Sequence, residues 1–327
     1  MMLSRIANGL YDLGRAAERA QHVARILEVN HKMNLERADQ DEVDIWLAIS
    51  ESFHCNIDRP DERRLYEILV LSSEHPYSVQ HCIRTAREEG RAMREHISEE
   101  MWLHLNHTHL EFKTLTFDSI LEMGRSEFNR RVEIFSDALH GLADDTMIRG
   151  ESWAFLKIGK LMERAMMICR ILEIKQKSLV SDGDSDSVDV HQWQALLRSL
   201  SGYEPYRRAY DARIIPTRVV EFVLKRGDFP RSLSCCLSEL RSAISIVSGH
   251  NPLQSDLDLQ IAHTLEELRL IQTADLLTNR TFESYLLGMD ATCKEITEAM
   301  DLAYFTSLRP ASVPISASPG AGLVPQQ

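Results

Sequence analysis

The sequence predicts an all-α fold, a helical bundle made of two tandem pseudo-symmetric repeats. Three observations lead to this prediction. Glycine and proline are scarce, at 14 and 10 of 327 residues, and most prolines lie outside the long periodic segments, which disfavours a turn-rich β fold. Apolar residues recur at helical spacing along most of the chain. One amphipathic segment near the N-terminus recurs in the second half of the chain.

The recurring segment is the strongest evidence for duplication. Residues 13–29 read LGRAAERAQHVARILEV, and residues 158–174 read IGKLMERAMMICRILEI. Their glycines are offset by 145 residues (159 − 14). The matched residues are Gly14 with Gly159, Arg15 with Lys160, and Glu18-Arg19 with Glu163-Arg164.

A second match places the repeat boundary. Residues 75–83 read HPYSVQHCI and residues 229–237 read FPRSLSCCL, so that proline, serine, an aliphatic residue and cysteine recur in order. Trp46 and Trp193 lie between the two matched blocks. Three landmarks in the same order predict repeat one at 1–148 and repeat two at 149–305.

Periodicity predicts a succession of helices joined by short connections, which is typical of bundles. The acidic stretch 178–189 is expected to be a loop without regular structure. Residues 306–327 are expected to form a disordered tail. The predicted helices cover 4–31, 40–56, 61–73, 77–106, 117–142, 150–176, 190–210, 215–225, 230–248, 255–275 and 281–305.

Composition excludes several classes of function. A net charge of −12 disfavours nucleic-acid binding. No apolar stretch is long enough to span a membrane and no signal peptide is recognisable, so a cytoplasmic protein is expected. The six cysteines form no C-x-x-C pair, and nucleotide-binding and hydrolase motifs are absent. No cofactor and no metal are therefore expected.

The repeated helix carries its charges opposite its apolar stripe. Arg15, Glu18 and Arg19 share that face in repeat one, and Lys160, Glu163 and Arg164 occupy it in repeat two. In one interpretation the Glu-Arg pairs tie helices together across the pseudo-symmetric interface, because a buried carboxylate must be paired. In the other interpretation they line a central cleft and hold a ligand.

The helix predicted over 77–106 adds a row of arginines that includes Arg87 and Arg91. Such a row meets a phosphate or carboxylate with several donors, although interleaved glutamates more often make a salt-bridged surface. The catalytic candidates are Glu18 and Glu163. The ligand-binding candidates are Arg15, Arg19, Arg87, Arg91, Lys160 and Arg164.

Four separated motifs, in order, resemble the alpha-E family of bacterial helical proteins. They read YDLGRAAERAQHVARILEV, AREEGRAMREHISEEMWLHLN, ADDTMIRGESWAFLKIGKLMERA and SLSGYEPYRRAYDARIIPTRVVEFVLKRGDFPRSL. The resemblance implies a genomic neighbourhood with a circularly permuted ATP-grasp protein and a transglutaminase-like protein. Because ATP-grasp proteins join a carboxylate to an amine through an acyl phosphate, this context implies peptide or amide-bond chemistry.

Two hypotheses of function follow. In the first, the chain is a non-catalytic helical partner of the ATP-grasp protein, or holds its peptide substrate. In the second, it is an enzyme acting on a peptide or amide, with Glu18 and Glu163 as acid/base groups and the arginines binding a carboxylate. The sequence leaves self-association into a homo-oligomer open.

Overall fold

The all-α prediction is confirmed. The computed structural model describes residues 2–36, 42–181, 186–211, 213–247, 252–278 and 281–305, and every regular element in these ranges is helical. They contain α1 Ser4–Glu36, α2 Glu42–Ser52, α3 Glu62–Leu69, α4 Val79–Ala92, α5 Glu99–Phe112, α6 Phe117–Met123, α7 Arg125–Thr146, α8 Glu151–Ser181, α9 Asp186–Ser199, α10 Tyr203–Ala209, α11 Pro216–Lys225, α12 Leu233–Ile244, α13 Pro252–Leu270, α14 Thr273–Thr278, α15 Phe282–Met300 and a π-helical turn Asp301–Phe305.

Helices α1 and α8 form the centre of the fold and run parallel to each other. Near their starts, the Met2 backbone N–H donates to Glu151 Oε2 at 2.8 Å. Near their ends, Lys175 Nζ donates to Asn30 Oδ1 at 2.8 Å. Helices α4 and α7 pack on α1, while α12 and α15 pack on α8. The two central helices are therefore enclosed on several sides.

Two glycines set the distance between α1 and α8. A Cβ atom on Gly14 would lie 2.1 Å from the carbonyl oxygen of Leu156, and one on Gly159 would lie 2.0 Å from that of Tyr11. Neither neighbour can move away without its helix, because both are backbone atoms. Only glycine permits this close crossing.

Burial on α1 extends beyond the apolar stripe. Leu13 and Ala17 of the stripe are buried, and so are Glu18 and His22 on the charged side. The central position of α1 explains this, because helices cover both of its faces. The charged face is therefore an interface between helices.

Several predicted helices are divided in the structure. The prediction of one helix over 77–106 is wrong: α4 ends at Ala92 and α5 starts at Glu99, with Ser98 Oγ capping the Met101 N–H at 3.2 Å. Similarly, 117–142 is divided at Gly124, whose φ of +90° interrupts the helix. The segment 190–210 is divided between α9 and α10. These breaks allow the divided segments to fold back on each other, with α5 against α4, α6 against α7 and α10 against α9.

The predicted acidic loop is shorter than expected. Helix α8 continues through Ser181 and α9 begins at Asp186, so the prediction of a loop over 178–189 is wrong at both ends. Residues 182–185, and the predicted tail 306–327, lie outside the described residues.

Candidate functional site

The first candidate site is the Glu163 cluster, which consists of Glu163, Arg15 and Arg19. Arg19 forms a fork on the carboxylate, with Nε 2.6 Å from Oε1 and one terminal nitrogen 2.6 Å from Oε2. Arg15 Nε donates to Oε2 at 2.9 Å. Glu163 is only 1% exposed. Two guanidiniums from α1 thus hold one buried carboxylate of α8.

This arrangement keeps Glu163 ionised. Burial opposes the charged form, but Arg19 and Arg15 outweigh it and lower the pKa of Glu163 to about 2. The remaining Arg19 nitrogen donates to the Pro76 carbonyl at 3.2 Å. The Arg19 guanidinium also lies 5.1 Å from the centre of the Tyr77 ring. All three Arg19 nitrogens therefore donate to oxygens within the protein.

The second candidate site is the Glu18 cluster, which consists of Glu18, Arg164, Arg231, His22 and His140. Arg164 forks the carboxylate, with Nε 2.7 Å from Oε1 and a terminal nitrogen 2.9 Å from Oε2. Arg231 donates to Oε1 at 3.1 Å. His22 Nε2 lies 3.0 Å from Oε1, and His140 Nε2 lies 3.8 Å from Oε2. Glu18 is fully buried.

The two Glu-Arg pairs are reciprocal. Arg19 binds Glu163, and Arg164 binds Glu18. Arg164 also donates to the Pro230 carbonyl at 3.3 Å, as Arg19 does to that of Pro76. Two Glu-Arg ion pairs therefore join α1 and α8, one with its glutamate on α8 and the other with its glutamate on α1.

The matched cysteines lie against the same two prolines. Cys82 Sγ is 3.6 Å from the Pro76 oxygen and Cys236 Sγ is 3.5 Å from the Pro230 oxygen. Burial raises the pKa of both thiols to about 12. Both therefore stay protonated at neutral pH, which favours packing over nucleophilic chemistry.

Arg231 is a site residue that sequence reasoning missed. In the match of residues 75–83 with residues 229–237, Arg231 aligns with Tyr77. This replacement of an aromatic residue by a cation is the feature of the sequence that could have indicated a role for Arg231. Its second terminal nitrogen donates to Gln21 Oε1 at 2.8 Å. Burial lowers the pKa of Arg231 to about 9, with Glu18 opposing the shift and Arg164 adding to it. The Glu18 cluster thus holds a cation where the other cluster has an aromatic ring.

Lys160 occupies the position that matches Arg15 but does not reach Glu18. Within the described part of the chain, no carboxylate lies at ion-pair distance from its amine. Burial, followed by repulsion from Arg164, lowers the pKa of Lys160 to about 8. The structure therefore brings Lys160 near the Glu18 cluster as a cation without a direct counter-ion.

The histidines of the Glu18 cluster are held neutral. Burial lowers the pKa of His22 to about 4, although Glu18 opposes this shift. Burial and the charge of Lys160 hold the pKa of His140 well below its usual range. Both ring nitrogens of His140 lack a hydrogen-bond partner among the described residues. Neutral imidazoles thus accompany the ionised Glu18.

The structure does not bring Arg87 or Arg91 to either cluster. Arg87 Nε donates to Asn106 Oδ1 at 3.2 Å, and its guanidinium lies 5.7 Å from the Trp102 ring centre. Arg91 is exposed in the last turn of α4. The additional donors to the two buried glutamates are Arg15 and Arg231 instead.

An open groove lies beside the Glu18 cluster. It has a volume of about 510 Å³, and its lining includes Arg208, Arg226 and Arg231 together with the rings of Phe222 and Phe229. Arg231 belongs to both the groove and the cluster. A solvent-facing cavity therefore reaches a side chain that contacts the buried Glu18.

Among the described residues there is neither a candidate metal site nor a candidate membrane span. No group of three or more His, Cys, Asp or Glu side chains there has an arrangement that could hold a metal ion. No helix in the described ranges combines the length and apolar character that a membrane span requires.

The fold and the site define an all-helical protein organised around buried, reciprocal Glu-Arg pairs. The chain belongs to the Alpha-E family, which it matches over residues 2–305 and which is described as a predicted alpha-helical domain with a conserved ER motif. Glu18-Arg19 and Glu163-Arg164 fit that description, and the structure places both at the centre of the fold.

Three curated relatives carry no assigned activity. They are Uncharacterized protein Mb2597 of Mycobacterium bovis at 23% identity, and Uncharacterized proteins MT2643 and Rv2567 of Mycobacterium tuberculosis at 23% and 22%. Each match includes 75% of this chain but only 30% of the relative, so the chain corresponds to less than a third of those proteins. No solved structure matches the chain.

Proposed function

We propose that the chain is a helical partner or substrate-holding component of an ATP-grasp-associated system for peptide or amide-bond synthesis or modification, acting in the cytoplasm. The observation that supports the non-catalytic role is that arginines of the protein itself bind both glutamates. Each candidate acid/base group is buried and bound by two guanidiniums. A general acid works best with a pKa near the working pH, whereas the pKa of Glu163 is about 2.

We also propose that the chain consists of two tandem pseudo-symmetric repeats. The reciprocal Glu-Arg pairs support this, and so do the glycine contacts. Gly14 approaches Leu156 and Gly159 approaches Tyr11, which are the residues three positions before the partner glycine in each helix. In an experimental structure, residues 4–31 and 150–176 are expected to superpose after a two-fold rotation. Unrelated environments for the two segments would contradict the repeat.

The partner role is tested with a circularly permuted ATP-grasp protein of the kind that the family resemblance implies. The two proteins are expected to co-purify, and this chain is expected to change peptide-dependent ATP consumption by the ATP-grasp protein. A chain that neither co-purifies nor changes ATP consumption contradicts the proposal. The transglutaminase-like protein serves as a second bait in the same experiment.

The alternative, an enzyme acting on a peptide or amide, is favoured by one observation. The groove reaches Arg231, which contacts Glu18, and neutral His22 lies 3.0 Å from the same carboxylate oxygen. Glu18→Gln separates the two functions in the reconstituted system. A folded variant that binds the ATP-grasp protein but loses product formation supports the enzyme, whereas retained product formation supports the holding role.

A further inference from the structure

The groove beside the Glu18 cluster carries more positive charge than its lining compensates. Its three arginines face one lining carboxylate, Asp228. Arg226 forks Asp228 through Nε and a terminal nitrogen, the latter at 2.9 Å from Oδ2. That pair is neutral as a whole. The charges of Arg208 and Arg231 then determine what the groove attracts.

Arg208 is the accessible cation of the groove. It lies at the C-terminal end of α10, is exposed, and has no carboxylate within ion-pair distance in the described part of the chain. Its neighbour Arg207 differs, since it faces Glu204 at 3.6 Å and does not line the groove. An anion entering the groove therefore meets a free guanidinium at the rim.

Arg231 supplies a second, deeper cation. It shares the single negative charge of Glu18 with Arg164, so one of these two positive charges remains uncompensated. Asp137 is held by Gln21 Nε2 at 2.9 Å and contributes only a more distant attraction. An anion near Arg231 would supply the missing charge.

The walls of the groove are apolar. Phe222 and Phe229 are stacked with ring centres 4.5 Å apart and an angle of 26° between their planes. These rings are only 1% and 6% exposed, so they form the floor of the apolar part, while Pro205 and Pro230 are exposed beside them. A ligand that fits has an anionic group beside an apolar one, as found at the C-terminus of a peptide that ends in an apolar residue.

We infer that this groove binds a peptide through its terminal carboxylate, with Arg208 at the rim, Arg231 at the base, and the last side chain against Pro205, Pro230 and the edge of Phe229. Planar arginine forks match a carboxylate with two parallel hydrogen bonds. Arg208 and Arg231 can both donate to one carboxylate, and the apolar part of the lining favours an anion that carries an apolar side chain over a small inorganic anion. The inference rests on the proposed holding role and specifies the class of substrate held.

Calorimetric titration tests the groove with two probes, N-acetyl-alanyl-phenylalanine and its C-terminal amide. The acid is expected to bind saturably, and the amide about tenfold or more weakly, because a charge-assisted hydrogen bond is lost. Arg208→Ala is expected to weaken binding of the acid to a similar extent. The matched control, Arg207→Ala, is expected to leave it unchanged, since that residue lies outside the groove.

Three results overturn the inference: equal binding of acid and amide, equal effects of Arg208→Ala and Arg207→Ala, or tighter binding of inorganic phosphate than of the acid. The outcome is independent of the partner experiment. If the acid binds but the ATP-grasp protein does not, the groove stands and the partner role falls. If the ATP-grasp protein binds but neither peptide does, the partner role stands and the groove inference falls.

Discussion

The Glu163 and Glu18 clusters are both built on a buried Glu-Arg ion pair, but they differ in net charge. In the Glu163 cluster, two arginines meet Glu163, and the nearby Asp12 adds a second negative charge beside Arg15. In the Glu18 cluster, Arg164 and Arg231 share one carboxylate, with Lys160 close by. One cluster is balanced, whereas the other has an excess of positive charge and adjoins a groove.

We interpret the Glu-Arg pairs as stabilising the fold and the excess positive charge of the Glu18 cluster as available for binding. The crossing of α1 and α8 requires a buried Glu-Arg pair in each direction, because each carboxylate would otherwise be buried without a counter-ion. The Glu18 cluster also has titratable side chains that such a pair does not need, namely Arg231, Lys160 and the two histidines. A bound ligand can interact with these additional side chains.

The largest expected effect compares Glu18→Gln with Glu163→Gln. Glu18→Gln leaves Arg164 and Arg231 buried without a counter-charge and is expected to lower the free energy of unfolding by about 3–5 kcal/mol. Glu163→Gln is expected to cost less, because Arg15 and Arg19 are 22% and 17% exposed, against 10% and 12% for Arg164 and Arg231, and can be hydrated. Urea unfolding measures both; a larger loss for Glu163→Gln contradicts the comparison.

The second prediction concerns the crossing, where Gly14 and Gly159 make similar contacts with a backbone carbonyl of the other helix. Gly14→Ala and Gly159→Ala each push a Cβ atom against a backbone carbonyl and are expected to destabilise the protein equally, by about 1–3 kcal/mol. Gly141→Ala in α7 is the control, since nothing lies within 4 Å of its Cβ position. It is expected to stabilise by about 0.5–1 kcal/mol, because alanine favours a helix interior. Unequal losses at Gly14 and Gly159 would argue against a reciprocal crossing.

The third prediction is a difference in pH dependence. The pKa of His22 is about 4 in the folded protein and near 6.5 when unfolded. Between these values only the unfolded state takes up the proton, so the contribution of His22 to stability falls as the pH drops from 6.5 to 4, by roughly 3 kcal/mol. His22→Met, which introduces the residue found at the matched Met167, is expected to reduce this slope by the His22 contribution in urea-unfolding experiments, and the contribution of His140, whose pKa is also lowered by burial, is expected to remain.

Glu163 provides the contrast for that experiment. Its pKa of about 2 lies below the usual 4.5, so its contribution is complete above pH 4.5 and is lost as the pH falls toward 2. The two clusters therefore respond to acid in different ranges. An unchanged slope between pH 6.5 and 4 in the His22→Met protein would contradict the assignment.

The smallest expected effect is at Lys160. Its pKa is about 8 in the folded protein against 10.5 when unfolded, so its charge costs stability at pH 7 and the cost disappears as the pH rises from 8 to 10.5. Lys160→Met is expected to raise the free energy of unfolding by about 1 kcal/mol at pH 7, discounted for partial exposure. Arg15→Met is the matched control and is expected to have the opposite sign, because it removes an ion pair with Glu163.

Sequence reasoning recovered the fold class and most of the residues in the two clusters. Helical periodicity is a local property, so α1, α8 and α11 were predicted close to their observed positions. Breaks without proline were missed, since residues 93–98 interrupt a helix only because α5 folds back and packs Leu105 against Gly90. Helix ends of this kind are decided by tertiary packing.

The sequence by itself determined that Glu18-Arg19 and Glu163-Arg164 recur in matched helices. Only the tertiary structure decided that each glutamate binds the arginine of the other helix, because sequence separation does not specify the partner of a side chain. The same holds for Arg231, which lies 213 residues from Glu18 in the chain. Its role depends on how α12 packs against α8, and thus on the burial that brings distant charges together.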